Sequence, residues 1–262
     1  MLGLVFPKLD RRDLRAFTIL ALFFGFLITL AGLGVTNRMA RADRIKHLLA
    51  TRSCQRCDLD GVNLAGVELP QAELEDVTLR RANLSRTNLR DASLLRAILS
   101  EANLREAKLG GANLDEAILN QADLTQAELT NTDFSRAYLG DSILQDALLV
   151  GADLGEAQLV RANLSQANLR DANLGGADLS RANLRAADLR RVDLGRADLV
   201  NAILVGANLS RATLSRSDLN RANLSRTNLQ DSNLGGANLS NTNFSGADLS
   251  RAYLGEADLS EA

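Results

Sequence analysis

The sequence predicts an all-β solenoid, a chain wound into a four-sided coil with five residues to a side. Three observations carry that prediction. First, from Leu59 to Leu259 every fifth residue is large and apolar: of these 41 positions, 39 are leucine and Phe134 and Phe244 fill the rest, with no insertion breaking the register. Second, a small residue stands two positions before each, usually alanine as in Ala82-Asn83-Leu84-Ser85-Arg86, otherwise a Cys, Val, Thr or Ser such as Cys57, Val62, Thr87 or Ser142. Third, glycines that follow the leucine at Gly155, Gly175, Gly195, Gly235 and Gly255 recur in steps of 20 or 40.

A period of five fits neither the 3.6 residues of an α-helix nor the 2 of a strand, so one long element of either kind would scatter the leucines around its circumference. A unit that makes one side of a coil and then turns a corner points every leucine inward, and the small residue lets the neighbouring backbone approach. Stacked coils then bury a continuous ladder. The 20-residue recurrence makes four units one coil, although duplication of a 20-residue gene segment leaves the same trace. The corner glycines are expected at positive φ, as a type II turn requires.

Units such as Ala112-Asn113-Leu114-Asp115-Glu116 and Ala182-Asn183-Leu184-Arg185-Ala186 resemble the pentapeptide repeat family, whose motif is A(D/N)LXX. The resemblance covers about four fifths of the chain. It implies a right-handed quadrilateral β-helix with a leucine core and Asx side chains bridging backbone. It does not imply one function.

Taken in order, residues 1–15 form a basic tail, and residues 16–35 give 20 positions without a charge. That length crosses a hydrocarbon core of about 30 Å, so a transmembrane helix is expected. A cleaved signal peptide has a shorter apolar region, and the small-residue sites offered here fit it poorly. Lys and Arg flank the span equally, four before and four after, and the positive-inside rule is a tie. Residues 36–53 form an amphipathic capping helix and linker, with Asn37 as N-cap and Ile45, Leu48 and Leu49 on one side, placed to cover the first coil's exposed leucines and strand edges. Residues 54–262 are the β-helix, about ten coils at 20 residues each. The last coil has no comparable cover in the sequence, and an end-to-end homodimer is one use for it.

The net charge of −2 hides an asymmetry: residues 1–57 carry +7, 58–159 carry −10 and 160–262 carry +1. Solvated faces account for this, and so does an acidic patch for a basic partner. Arg170, Arg190, Arg191 and Arg211 share a face, with Asp171 and Asp188 close enough to neutralise them. No aromatic residues interleave with them, and no nucleic-acid interface is expected there.

Cys54 and Cys57 form a CxxC that also falls into repeat register. Three readings are open: buried core filler, a disulfide tightening the first coil, or redox or metal chemistry. Metal binding needs about four ligands, and the chain offers two Cys and His47. A CxxCDL opening resembles that of membrane-linked or exported family members, and a disulfide favours an oxidising, extracytoplasmic side. No nucleophile elbow or phosphate loop is present, the many Asp and Asn are explained by the repeat, and neither enzymatic activity, a cofactor nor a small-molecule substrate is expected.

The outward-facing exceptions carry the functional expectation. Ile98, Ile118 and Tyr138 stack on successive coils of one face, and Ile143, Leu148, Val150 and Val160 continue the apolar character around the next coil and corner. A second cluster is Val200, Ile203 and Val205. Strand preference of β-branched residues explains such positions, and so does a partner site. The sequence is therefore read as a non-enzymatic, membrane-tethered scaffold that contacts a protein, an integral membrane complex being one such partner, through residues Ile98 to Val160. The alternative is an acidic DNA-mimic solenoid that binds a topoisomerase such as DNA gyrase.

Overall fold

The computed structural model describes residues 41–262; the tail, the 16–35 segment and Asn37 lie outside the described residues. The chain divides into two units, Met1–Arg44 and Ile45–Ala262. Of the first, only the opening residues of a helix are described. The second holds the rest of that helix, α1 (Arg41–Thr51), followed by the solenoid.

The solenoid is built from a single unit whose backbone hydrogen bonds can be followed residue by residue. Asn83 forms a parallel bridge with Asn103, and this spacing of 20 runs unbroken from Ser53↔Glu73 to Asn238↔Asp258. In the unit Ala82 to Arg86, the Leu84 N–H donates forward to the Asn103 carbonyl at 2.7 Å and the Asn83 N–H reaches the Val62 carbonyl of the preceding coil at 2.8 Å. The Arg86 N–H donates to the Arg105 carbonyl at 2.9 Å, and the Ala82 N–H closes the corner on the Leu79 carbonyl at 3.1 Å. One donor is left, the N–H of Ser85, and the Asn83 Oδ1 accepts it at 3.2 Å. This last bond explains the D/N of the motif: buried or half-buried backbone donors need partners, and an Asx side chain reaches the N–H two residues on. Sites that keep Asx repeat the bond, as at Asp153 with Gly155 at 2.9 Å.

The leucines point inward as the period requires. Leu59 to Leu239 line one continuous core, together with the alanines that precede them and Phe134. Polar residues at the small position enter the core because each hydroxyl finds a carbonyl: Thr87 donates to Leu64 at 2.8 Å, Ser142 to Leu139 at 2.7 Å and Ser217 to Leu214 at 2.6 Å. Unsatisfied, such groups would each cost about 1–3 kcal/mol.

The left-handed residue is not the glycine after the leucine. Gly155, Gly175, Gly195, Gly235 and Gly255 do not have positive φ; the following position does, in every unit from Arg56 to Glu261, whether it holds Gly176, Arg86 or Asp141. The Asx cap takes the first residue after leucine into the turn, and the next one makes the corner. At Gly235 and Gly255 glycine has another use: an added Cβ would meet the Tyr253 side chain at 2.8 and 2.2 Å.

At the front, α1 closes the core. Leu48 is fully buried in the leucine cluster and Ile45 packs against it, but Leu49 is 50% exposed. Leu49 lies about 100° around the helix from Leu48, off the narrow stripe that the first coil can cover. At the other end the coil from Phe244 onward is only half-buried, and the N–H groups of Leu249 and Leu254 find no acceptor among the described residues. No helix among the described residues is long and apolar enough to cross a membrane.

Candidate functional site

The outward position before each leucine is where Asx caps the turn, so an apolar residue there forfeits a hydrogen bond worth about 1 kcal/mol. Ile98, Ile118 and Tyr138 do so in three consecutive coils, bridged Ile98↔Ile118 and Ile118↔Tyr138. The Ser100 N–H consequently has no side-chain acceptor among the described residues, and that of Gly140 borrows the Asn120 Oδ1 of the preceding coil at 2.9 Å. Thr78 and Gln158 continue the departure on the adjoining coils, and the three central residues make it apolar.

These side chains line a shallow groove of about 400 Å³, walled by Arg96, Glu116 and Arg136. Tyr138 is 40% exposed; Ile98 and Ile118 are half-buried. The wall is electrically closed: Arg96 pairs with Asp76 at 2.8 Å, and Arg136 with Asp115 at 2.6 Å and Glu116 at 3.4 Å. The groove thus offers apolar contact beside ion-paired charges.

The remaining predicted residues are placed differently. Val160 sits on the corner beside Gly140, next to the Tyr138 column. Ile143 bridges Asp123 and Asn163, and Leu148 bridges Glu128 and Asn168, so these two exposed residues lie on the next two sides of the coil. Val150 is the half-buried corner beyond Leu148. The groove gathers Ile98, Ile118 and Tyr138, and the apolar character then travels round the coil.

Cys54 and Cys57 are joined by a disulfide, Sγ–Sγ 2.02 Å, across the first corner of the solenoid. Cys54 holds a leucine position and is buried. Among the described residues no group of His, Cys, Asp and Glu is arranged to hold a metal.

Several arginines at the corners pair with carboxylates 20 residues away, one strand spacing along the stack. Arg81 with Glu101 and Arg86 with Glu106 are bidentate, and Arg161 with Asp141, Arg191 with Asp171 and Arg251 with Asp231 repeat the arrangement. Arg190 pairs with Asp188 as expected. Hydrogen bonds from Arg96, Arg81, Arg86 and Arg161 hold Asp76, Glu101, Glu106 and Asp141 below the usual carboxylate range. In Asp123 burial pushes the pKa up, but the Thr125 hydroxyl and N–H and the Arg105 guanidinium outweigh it. Carboxylates depressed in the folded state stabilise it at pH values above the unfolded pKa, and that contribution is lost as pH falls through the folded value. The melting temperature should therefore stay level from pH 7 to about 5 and decline below about 4, less steeply at high salt. Melts followed by circular dichroism test this; a midpoint unchanged well below pH 4 would show that the ladders add nothing.

A parallel β-solenoid of five-residue sides, with an inward leucine, a small residue two before it and an Asx-capped corner, defines a class of repeat protein. The chain belongs to the pentapeptide repeat family: the family model described as Pentapeptide repeats matches in 8 copies, with residues 57–94, 97–136, 132–171, 147–185, 157–196, 193–231 and 222–261 aligned. Among solved structures it is similar to HetL, a pentapeptide repeat protein involved in heterocyst differentiation regulation from the cyanobacterium Nostoc sp. strain PCC 7120. The identity is 36%, covering 84% of this chain and 97% of HetL, with a TM-score of 0.48. It is also similar to a pentapeptide repeat protein of the Arabidopsis thaliana thylakoid lumen (28% identity, 50% and 70% covered, TM-score 0.28). A third similar structure is QnrB1, a plasmid-mediated fluoroquinolone resistance protein (16% identity, 74% and 87% covered, TM-score 0.40). No curated protein matches the chain.

Proposed function

We propose that this protein is a non-enzymatic scaffold, tethered to a membrane by residues 16–35, that seats a protein partner in the groove of Ile98, Ile118 and Tyr138. The observation that carries the reading is the stacked apolar column that gives up its Asx bonds within an ion-paired wall. Such a surface gains by excluding water from a partner's apolar side chains, and the charges around it already have partners within the wall. The apolar, uncharged stretch supports the tether. The Cys54–Cys57 bond supports an oxidising compartment for the solenoid. The gyrase-binding alternative draws on the net −10 of residues 58–159, and the near-balanced charge of residues 160–262 weighs against an acidic face along the whole solenoid.

Ile118→Asp with Tyr138→Asp tests the reading. Both side chains face outward, so the solenoid should keep its circular dichroism and melting temperature, while recovery of the partner crosslinked in native membranes falls roughly tenfold or more. Unchanged recovery with an intact fold would remove the groove from the binding surface.

A further inference from the structure

Another outward apolar residue breaks the Asx rule outside the groove, in a different electrostatic setting. Ile203 lies between Asn183 and Asn223 on three consecutive strands of one face, bridged to both. It is 37% exposed, and the N–H of Val205 has no acceptor among the described residues. Segments 181–186, 201–206 and 221–226, which make up this face, contain no acidic residue. Four arginines frame it: Arg181 and Arg185 on one strand, Arg221 and Arg226 two strands further on.

Among the described residues these four, like Arg196, Arg211 and Arg216, lack the ion pairs that other arginines of the solenoid make. Arg81, Arg86, Arg161, Arg191 and Arg251 each meet a carboxylate 20 residues away. Around Arg181, Arg221 and Arg226 the corresponding places hold Asn201, Asn241, Gly206 and Gly246 or another arginine, Arg161, already paired with Asp141. No ion pair forms at any of the four among the described residues. Arg181 and Arg221 stand two strand spacings apart, about 10 Å, the Debye length at about 0.1 M salt, so solvent ions screen much of their mutual repulsion and both remain available to a partner. Residues 160–226 as a whole carry eleven arginines against six aspartates.

We infer that the Ile203–Val205 face, framed by Arg181, Arg185, Arg221 and Arg226, is a docking surface for an acidic protein segment in which carboxylates flank an apolar residue. Charge complementarity selects the occupant. The arginines supply four guanidiniums for carboxylates, and Ile203 with Val205 supplies the apolar centre. A lipid surface fits less well, because interfacial binding scales with the apolar area buried and this face offers only Ile203 and Val205. A nucleic-acid duplex fits less well too. Its phosphates leave the apolar centre unused, and the neighbouring side carries the stacked Asp178, Asp198 and Asp218, which repel a long polyanion. This surface is separate from the groove, and the inference stands whether or not the groove binds a partner.

The test uses the full chain in neutral detergent and a fluorescent peptide of glutamates flanking Leu-Val-Leu, followed by anisotropy. Arg221→Asn with Arg226→Asn removes two charges without straining the backbone, since Asn201 and Asn241 already occupy such corners at φ 59°. Affinity should fall roughly tenfold in this variant and fall with added salt. It should be unchanged in Arg216→Asn, which lies on another corner. A companion peptide with serine for the apolar residues should bind more weakly. Equal binding by native and Arg221/Arg226 variants would overturn the inference, as would equal binding of the serine peptide. So would retention on anionic phosphatidylglycerol vesicles with no peptide binding, or arginine-dependent self-association in place of peptide binding.

Discussion

Phe134→Ala is expected to destabilise the solenoid by about 3–5 kcal/mol, whereas Phe134→Leu should cost less than about 1.5 kcal/mol. Phe134 is fully buried and stands where the coils before and after place Leu114 and Leu154. Alanine there leaves a cavity that the rigid corners on either side prevent from collapsing, while leucine restores the side chain that the ladder carries almost everywhere else. Because each coil touches only its neighbours, the damage should be local, with protease nicks concentrated near the altered coil. Urea unfolding of the three proteins measures the difference. A leucine variant as unstable as the alanine one would mean that the ladder does not accept its own most common residue, contrary to the packing described here.

Particular residues show what the sequence made legible. The inward ladder was readable because a leucine every five residues has one geometrical solution, and its burial from Leu59 to Leu239 follows. The left-handed corner was placed one residue early. Glycines occur both directly after the leucine, as at Gly155, and one position later, as at Gly176, so glycine alone does not discriminate. What discriminates is the leftover N–H: once the Asx side chain is given to the residue after leucine, the corner falls to the next, and arginine, aspartate and glutamate accept positive φ there because the N–H is bonded to the next coil. Leu49 shows the converse limit. Periodicity put it on the covering stripe of α1, but how wide a stripe the first coil could bury depended on tertiary packing that no local pattern encodes. At the candidate groove, the column of Ile98, Ile118 and Tyr138 was visible from its spacing. The ion-paired wall of Arg96, Glu116 and Arg136 emerged only when the stacking brought residues 20 apart into contact.

Deleting the single residue Gln166 should damage the protein more than deleting the whole coil 160–179. Gln166 is a corner residue with φ 62°, and its N–H donates to the Arg185 carbonyl at 2.9 Å. Without it the side from Leu164 to Leu169 has four residues to span a five-residue path. Either the corner cannot close or Leu169 leaves the core, and displacing one buried leucine alone costs about 2–5 kcal/mol. Lost bonds to the adjoining coils add to that, and a nearest-neighbour stack interrupted at one coil should melt in two steps and be cleaved at the break. Removal of residues 160–179 joins Leu159 to Ser180, which stood directly above Val160 in the next coil, so every surviving residue again finds a bridge partner 20 positions away. That shortened protein should fold with one transition and a modestly lower melting temperature. Calorimetry and limited proteolysis of the two deletions make the comparison. If the one-residue deletion melts like the native chain, the strict register of the 41 repeat positions is not what holds the coils together.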